Sequence, residues 1–105
     1  MKLVAEVIGP GGRKWKIYHG SNKEHPAQFT KPDNGELCDG ITWFRGRWKN
    51  KVFINIDGAS DHDRFDTTVH ELMHIALSDL GLHPLIEEPI VAETAARMAV
   101  MLEQL

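Results

Sequence analysis

Residues 51–80, with the sequence KVFINIDGASDHDRFDTTVHELMHIALSDL, contain one change in the spacing of apolar side chains. Over residues 51–57 the side chains alternate with a period of two, which predicts a β-strand. One face of this strand has Val52, Ile54 and Ile56, and the other has Phe53, Asn55 and Asp57. After Gly58 the period becomes helical, because apolar residues recur three and four positions apart from about residue 63 to residue 80. The stretch therefore predicts a strand followed by an amphipathic helix.

Cap and turn residues mark the limits of two helices. Asp61 or Asp63 suits the N-cap of the first helix, and Gly81 followed by Pro84 suits its end. A second helix is predicted to begin near Pro89, since proline is favoured at the first helical position, and to continue to the C-terminus.

The first sixty residues favour strands and turns. Short β-prone segments occupy residues 3–8, 14–19 and 41–44, and residues 20–35 have the composition of a long surface loop. Strands followed by helices predict an α+β fold, in which a small, mostly antiparallel sheet packs against the first helix and a C-terminal helix. The length of 105 residues predicts a single domain spanning residues 1–105.

The composition, with 42% hydrophobic and 26% charged residues, is that of a folded globular protein. No apolar run approaches the roughly 18 residues of a transmembrane helix, and the N-terminus lacks the long apolar segment of a secretory signal. Cys38 is the single cysteine, so an internal disulfide is excluded. These features predict a cytoplasmic protein.

Charge is distributed unevenly along the chain. Ten basic and six acidic residues lie among residues 1–60, whereas two basic and nine acidic residues lie among residues 61–105. The acidic C-terminal part is either solvated surface or a site for a cation, and charge alone does not distinguish these possibilities.

The first helix contains the pattern H-E-x-x-H, formed by His70, Glu71 and His74. Residues four apart lie about 40° apart around a helix and one turn along it, so the two imidazoles can face one metal ion. Glu71 projects to the side where a metal-bound water would lie. The three polar residues fall together at the margin of the helix's apolar stripe, where the floor of a cleft is expected.

A zinc ion held by two histidines requires a third protein ligand and leaves a position for water. The downstream candidates are Glu93, Glu88 and Glu87, ranked in that order. Glu93 ranks first because it lies inside the second helix, where a rigid backbone aims a ligand well. Glu88 and Glu87 lie before or at the predicted helix start, where carboxylates are favoured by the helix dipole.

His70, Glu71 and His74, followed after eighteen residues by Glu93-Thr94-Ala95-Ala96, resemble the HExxH…ExxA arrangement of the glutamate-liganded zincins. The short chain is similar to the minimal zincins of phages and prophages and, more loosely, to ImmA/IrrE-type peptidases. The resemblance covers residues 62–96. It implies one Zn²⁺ held by His70, His74 and Glu93, Glu71 as general base, and a host-cytoplasmic location if the chain is phage-encoded. It also implies that the strand over residues 54–57 is the edge strand along the cleft.

One position departs from this pattern. Thermolysin-like zincins have an aspartate four residues after the ligand glutamate, where it orients a zinc-bound histidine, but this chain has Arg97 there. Asp66 is a candidate for that orienting role, although the helix dipole explains it equally well. The transition-state donor of the family is not identified by a motif, and the candidates are Tyr18, His19 and His83.

The expected activity is hydrolysis of peptide bonds by an endopeptidase rather than an exopeptidase. Zinc lowers the pKa of its bound water, Glu71 takes the proton, and the hydroxide attacks the substrate carbonyl. Two alternatives remain: a catalytically silent metal-binding interaction protein, and a nucleic-acid-associated protease. The expected partner is a protein or peptide substrate, not a membrane.

The alternative involving nucleic acid depends on residues 43–49, WFRGRWK, which interleave aromatic side chains with cations. Such a run can stack on bases and contact phosphates of single-stranded nucleic acid. The other interpretation is a hairpin with Gly46 at its tip and half-buried tryptophans. Cys38 is expected to be a buried or partly buried thiol and not a zinc ligand.

Overall fold

A computed structural model describes all 105 residues, with four strands and two helices. The strands are β1 (Lys2–Ile8), β2 (Lys14–Gly20), β3 (Gly40–Trp43) and β4 (Lys51–Asn55), and the helices are α1 (Asp61–Leu77) and α2 (Pro84–Leu102). The strands form one sheet in the order β1-β2-β4-β3. The β1–β2 and β3–β4 pairs are antiparallel, and β2–β4 is parallel. The predicted α+β class, with a mostly antiparallel sheet and two helices, is confirmed.

Strand β4 is central, and both of its faces are buried. Val52 and Ile54 pack with Trp15, Ile17 and Ile75 on the side of α1. Phe53 packs on the opposite side with Phe29 and Ile41. The two faces predicted from the alternation are therefore present, but each is covered by a different part of the chain.

The connection between β2 and β3 covers the face opposite the helices. Residues 20–35 were expected to form a surface loop, but they include a 3-10 turn at Pro26–Phe29 whose last residue, Phe29, is completely buried. The prediction of a plain surface loop is wrong at this position, because the sheet needs apolar cover on both faces.

Helix α1 begins at a capping box. The hydroxyl of Ser60 accepts a hydrogen bond from the backbone N–H of Asp63, and the Asp63 carboxylate accepts one from the backbone N–H of Ser60. Ser60, and not Asp61 or Asp63, is thus the N-cap. The helix ends at Leu77, three residues before the predicted end.

Helix α2 begins five residues earlier than predicted. His83 is its N-cap and its Nδ1 accepts a hydrogen bond from the Leu85 N–H, while Pro84 takes the first helical position. Pro89 lies inside the helix, where it removes one main-chain hydrogen bond. The early start places Glu88 in the second helical turn, which changes the candidate site.

The two helices pack on each other through apolar side chains. Val69 of α1 contacts Ala95 and Ala99 of α2 in a third buried cluster. The Cα radius of gyration is 13.2 Å, close to the value of about 13 Å for a compact chain of 100 residues. Neither helix combines the length and the apolar composition that crossing a bilayer requires.

Candidate metal centre

The side chains of His70 and His74 converge on the carboxylate of Glu88. His70 Nε2 lies 3.1 Å from Glu88 Oε1, and His74 Nε2 lies 3.1 Å from Glu88 Oε2. One ligand atom from each of the three residues lies within 4.8 Å of the others. Ligands about 2.1 Å from a tetrahedral zinc lie about 3.4 Å from each other, so either imidazole–carboxylate distance is close to the separation that this ion requires. The three residues form a candidate metal centre.

The helical hairpin explains why these three side chains meet. His70 and His74 are one turn apart on the same side of α1, with their ring centroids 5.1 Å apart. The chain reverses between residues 78 and 83, so that the second turn of α2 returns alongside α1. Glu88 is therefore presented to the two imidazoles from a rigid helical position.

Glu93, the carboxylate ranked first from the sequence, is not brought to the imidazoles. Its Oε2 is 3.0 Å from Arg97 Nη2, and its side chain is 71% exposed. Glu93 lies five positions after Glu88, so the two side chains are about 140° apart around α2. Because α2 starts at Pro84, Glu88 faces α1 and takes the place expected for Glu93.

Glu71, the predicted general base, is the one acidic side chain buried in the protein, with 5% exposure. Its Oε1 accepts a hydrogen bond of 2.9 Å from Thr42 Oγ1, and its Oε2 lies 4.0 Å from His70 Nε2. Burial raises the pKa of Glu71, and the Thr42 hydrogen bond and the charge of His70 oppose part of the increase. A carboxylate with a raised pKa is suited to accept a proton near neutral pH.

Strand β3 lies against α1 at the position of Glu71. A Cβ atom at Gly40 would lie 2.5 Å from Thr67 Cγ2 and 3.2 Å from Glu71 Cγ, so only glycine permits this close approach. The strand beside the site is β3, an edge strand, whereas β4 is central. The expectation that residues 54–57 form the edge strand is therefore wrong, because β3 pairs on the outer side of β4.

A cavity of about 220 Å³ lies in front of the candidate metal centre. Its walls include the two histidines, Glu71 and Glu88, and also Lys31, Cys38 and Phe44. Lys31 is the only lysine or arginine among the lining residues.

Cys38 Sγ donates a hydrogen bond to the Phe29 carbonyl, and burial raises the pKa of this thiol to about 11. Cys38 is thus a half-buried neutral thiol, as predicted.

The three candidates for a transition-state donor lie outside this cavity. Tyr18 packs on Phe53, with 5.6 Å between ring centroids, on the sheet face away from the helices. His83 caps α2, and His19 lines a different pocket near Lys2. The cation that does line the cleft, Lys31, has no sequence motif that would have identified it.

Asp66 lies in another pocket, with Asp57 and Asp63, and not beside the histidines. The carboxylate near His74 Nδ1 is that of Glu87, and its Oε2 lies 3.6 Å from this nitrogen. Sequence analysis also missed Thr42, because its contact with Glu71 joins residues 29 positions apart.

The aromatic and cationic run forms the connection between β3 and β4. Trp43 and Trp48 are half-buried with 5.1 Å between ring centroids, and Gly46 has φ +85° at the turn. Arg47 lies over the Trp48 ring at 5.2 Å and is exposed. The structure thus agrees with the hairpin interpretation.

Comparison of the chain with protein-family models, with curated proteins and with solved structures finds no match.

Proposed function

We propose that the protein is a zinc-dependent metallopeptidase of the zincin type, with His70, His74 and Glu88 as metal ligands and Glu71 as general base. The observation that supports this proposal best is the buried Glu71 carboxylate beside two imidazoles that share one carboxylate. A purely structural metal site has no use for a buried base beside its ligands and usually fills its fourth position with protein.

Zinc, when bound, would polarise a substrate carbonyl and lower the pKa of a coordinated water. The protein's own contribution is proton transfer through Glu71. Thr42 donates a hydrogen bond to Oε1 of this carboxylate. Oε2, on the side of His70, is therefore free to accept a proton from the attacking water. Glu71 then gives the proton to the departing amine as the amide C–N bond breaks, so that each turnover consumes one water.

The proposed substrate is an extended protein or peptide segment. Strand β3 has a strand neighbour on one side only, so the backbone groups of its outer edge can pair with such a segment. Thr42 of this strand donates a hydrogen bond to Glu71, so a segment paired with β3 would lie close to the proposed base. A segment held in this way continues past the cleft on both sides, which favours an endopeptidase.

The proposal is tested by comparing Glu71→Gln and His74→Ala with the wild-type chain. Glu71→Gln should keep stoichiometric zinc but lose about 10²- to 10⁴-fold in turnover, the usual contribution of a general base. His74→Ala should lose both zinc and turnover. Zinc content is measured by atomic absorption, and turnover by mass spectrometry of a quenched fluorescent peptide library.

Glu93→Gln is the matched control, since it removes an exposed carboxylate of α2 that is paired with Arg97. It should leave both zinc content and cleavage at the wild-type level. Undiminished cleavage by Glu71→Gln would remove the proposed role of the base. Zinc binding by the wild-type chain without cleavage of any library member would favour the silent metal-binding interaction protein.

A further inference from the structure

His74 has carboxylates at both of its ring nitrogens. Nε2 faces Glu88 Oε2 at 3.1 Å, and Nδ1 faces Glu87 Oε2 at 3.6 Å. His74 and Glu87 are largely enclosed, with side chains 14% and 21% exposed. Glu87 is the only acidic side chain within 4.0 Å of Nδ1. The two neighbouring glutamates of α2 therefore bracket a single imidazole.

A carboxylate at each ring nitrogen of His74 fits the chemistry of a metal-bound imidazole. A histidine that binds a metal through Nε2 keeps its proton on Nδ1, and that N–H almost always donates to a carboxylate, a carbonyl or water. The separation of 3.6 Å is about 0.6 Å longer than an ordinary N–H···O hydrogen bond. The two groups are therefore at ion-pair distance, and the hydrogen bond itself is the inferred step.

We propose that Glu87 is a positioning residue that accepts a hydrogen bond from His74 Nδ1–H. It fixes the tautomer and the ring orientation in which Nε2 faces the metal. This inference rests on the proposed metal centre. It also accounts for the departure at Arg97, because the orienting carboxylate comes from the residue immediately before the ligand Glu88 and not from a later turn of the helix.

A purely structural role for Glu87 makes a different prediction. Glu87 lies in the first turn of α2, where a carboxylate is stabilised by the helix dipole. If this were its only role, its substitution would lower the stability of α2 but leave the metal affinity and the His74 ring unchanged. Metal affinity and a signal from the ring nitrogen therefore distinguish the two roles.

The experiment uses the full chain and compares Glu87→Ala and Glu87→Gln with wild type and with Glu93→Gln as control. Zinc affinity is measured by competition with a chromophoric chelator. Glu87→Ala should weaken zinc binding about 10- to 100-fold, the usual effect of losing an outer-shell partner. Glu87→Gln should weaken it less, because the amide oxygen still accepts a hydrogen bond, and Glu93→Gln should not weaken it.

The second readout is the ¹H–¹⁵N NMR signal of His74 Nδ1–H in the zinc-loaded protein. It should be shifted downfield in wild type and move upfield in both Glu87 variants, but not in the control. Wild-type affinity and an unchanged Nδ1–H signal in Glu87→Ala would overturn this inference alone. A loss as large as that of His74→Ala would also overturn it, since Glu87 would then be a ligand. A wild-type chain that binds no zinc would overturn it together with the proposed function.

Discussion

At the level of single residues, Glu71 is an ionisable side chain that is deeply buried. It has one hydrogen-bonding side-chain partner, Thr42, and its Oε2 lies 4.0 Å from His70 Nε2. Burying a carboxylate costs free energy unless its neighbours compensate the charge. The proposed base should therefore reduce the stability of the protein when no metal is bound.

The pH dependence of unfolding follows from the raised pKa of Glu71. The folded state holds this proton more tightly than the unfolded chain, so the free energy of unfolding decreases as pH rises from the ordinary pKa of 4.5 through the folded-state pKa. The slope is at most about 1.4 kcal/mol per pH unit for one group. In the presence of a chelator, Glu71→Gln should thus be more stable than wild type at pH 7, and the difference should shrink below pH 4.5.

Urea denaturation at several pH values measures this difference. Glu93→Gln serves as the control, because its exposed carboxylate should leave the profile close to that of wild type. A Glu71→Gln variant that is less stable than wild type at pH 7 would contradict the expected cost of the buried charge.

The proposed third zinc ligand is also tested at single residues. Glu88→Gln should weaken zinc binding by more than the roughly 10- to 100-fold loss typical of outer-shell substitutions, because it replaces an anionic ligand. Glu93→Gln should leave the affinity unchanged, since Glu93 pairs with Arg97 in solvent. Chelator competition measures both constants, and the reverse order of the two effects would restore Glu93 as the ligand.

Among the elements, α1 and α2 meet at the candidate metal centre. Away from the histidines their contact is apolar, with Phe65 and Met73 packed against the buried side chains of Val69, Ala95 and Ala99. The first turn of α2 has little apolar anchorage, as the 81% exposure of Leu85 indicates. Glu88 is thus a principal link between the beginning of α2 and α1.

Removal of the metal should loosen the start of α2 more than the rest of the protein. In hydrogen–deuterium exchange, residues 84–92 should exchange faster after chelation, because the ligand that joins them to α1 is released. Strand β4, buried on both faces, should show little change. His74→Ala is the control, and its exchange should not respond to zinc. Equal protection of residues 84–92 with and without zinc would contradict a metal-dependent hairpin.

In the molecule as a whole, the two faces of the sheet are covered by different parts of the chain. The helices cover one face, and the connection ending at Phe29 covers the other. Phe29 packs on Phe53 of the central strand, with 6.1 Å between ring centroids. The segment that leads from Phe29 to β3 includes Lys31 and Cys38, so the second cover also forms one wall of the cleft.

Phe29→Ala should therefore destabilise the whole fold by about 3–5 kcal/mol, the usual cost of removing a buried phenylalanine. Such a loss is a large part of the 5–15 kcal/mol that holds a typical domain together. Leu85→Ala, which truncates an exposed apolar side chain, should change stability by no more than about 0.5 kcal/mol. Urea denaturation of both variants tests this, and similar stabilities would contradict the buried role of Phe29.

Local spacing along the chain was sufficient for the strand–helix order around Gly58 and for the placement of His70, Glu71 and His74 on one helix. These features follow from periods of two and 3.6 residues, which neighbouring side chains specify without distant contacts. The start of α2 was misplaced because Pro84 and Pro89 are both acceptable at a first helical position, and a local rule does not choose between them.

Packing was needed to select Glu88 over Glu93, to place β3 and not β4 at the edge, and to bring Thr42 to Glu71. Each of these depends on how two elements far apart in the chain lie against each other. Apolar burial drives such contacts without regard to sequence separation, so residue spacing does not encode them. Local sequence thus specifies the two imidazoles and the proposed base, whereas the carboxylate beside them comes from the docking of α2 on α1.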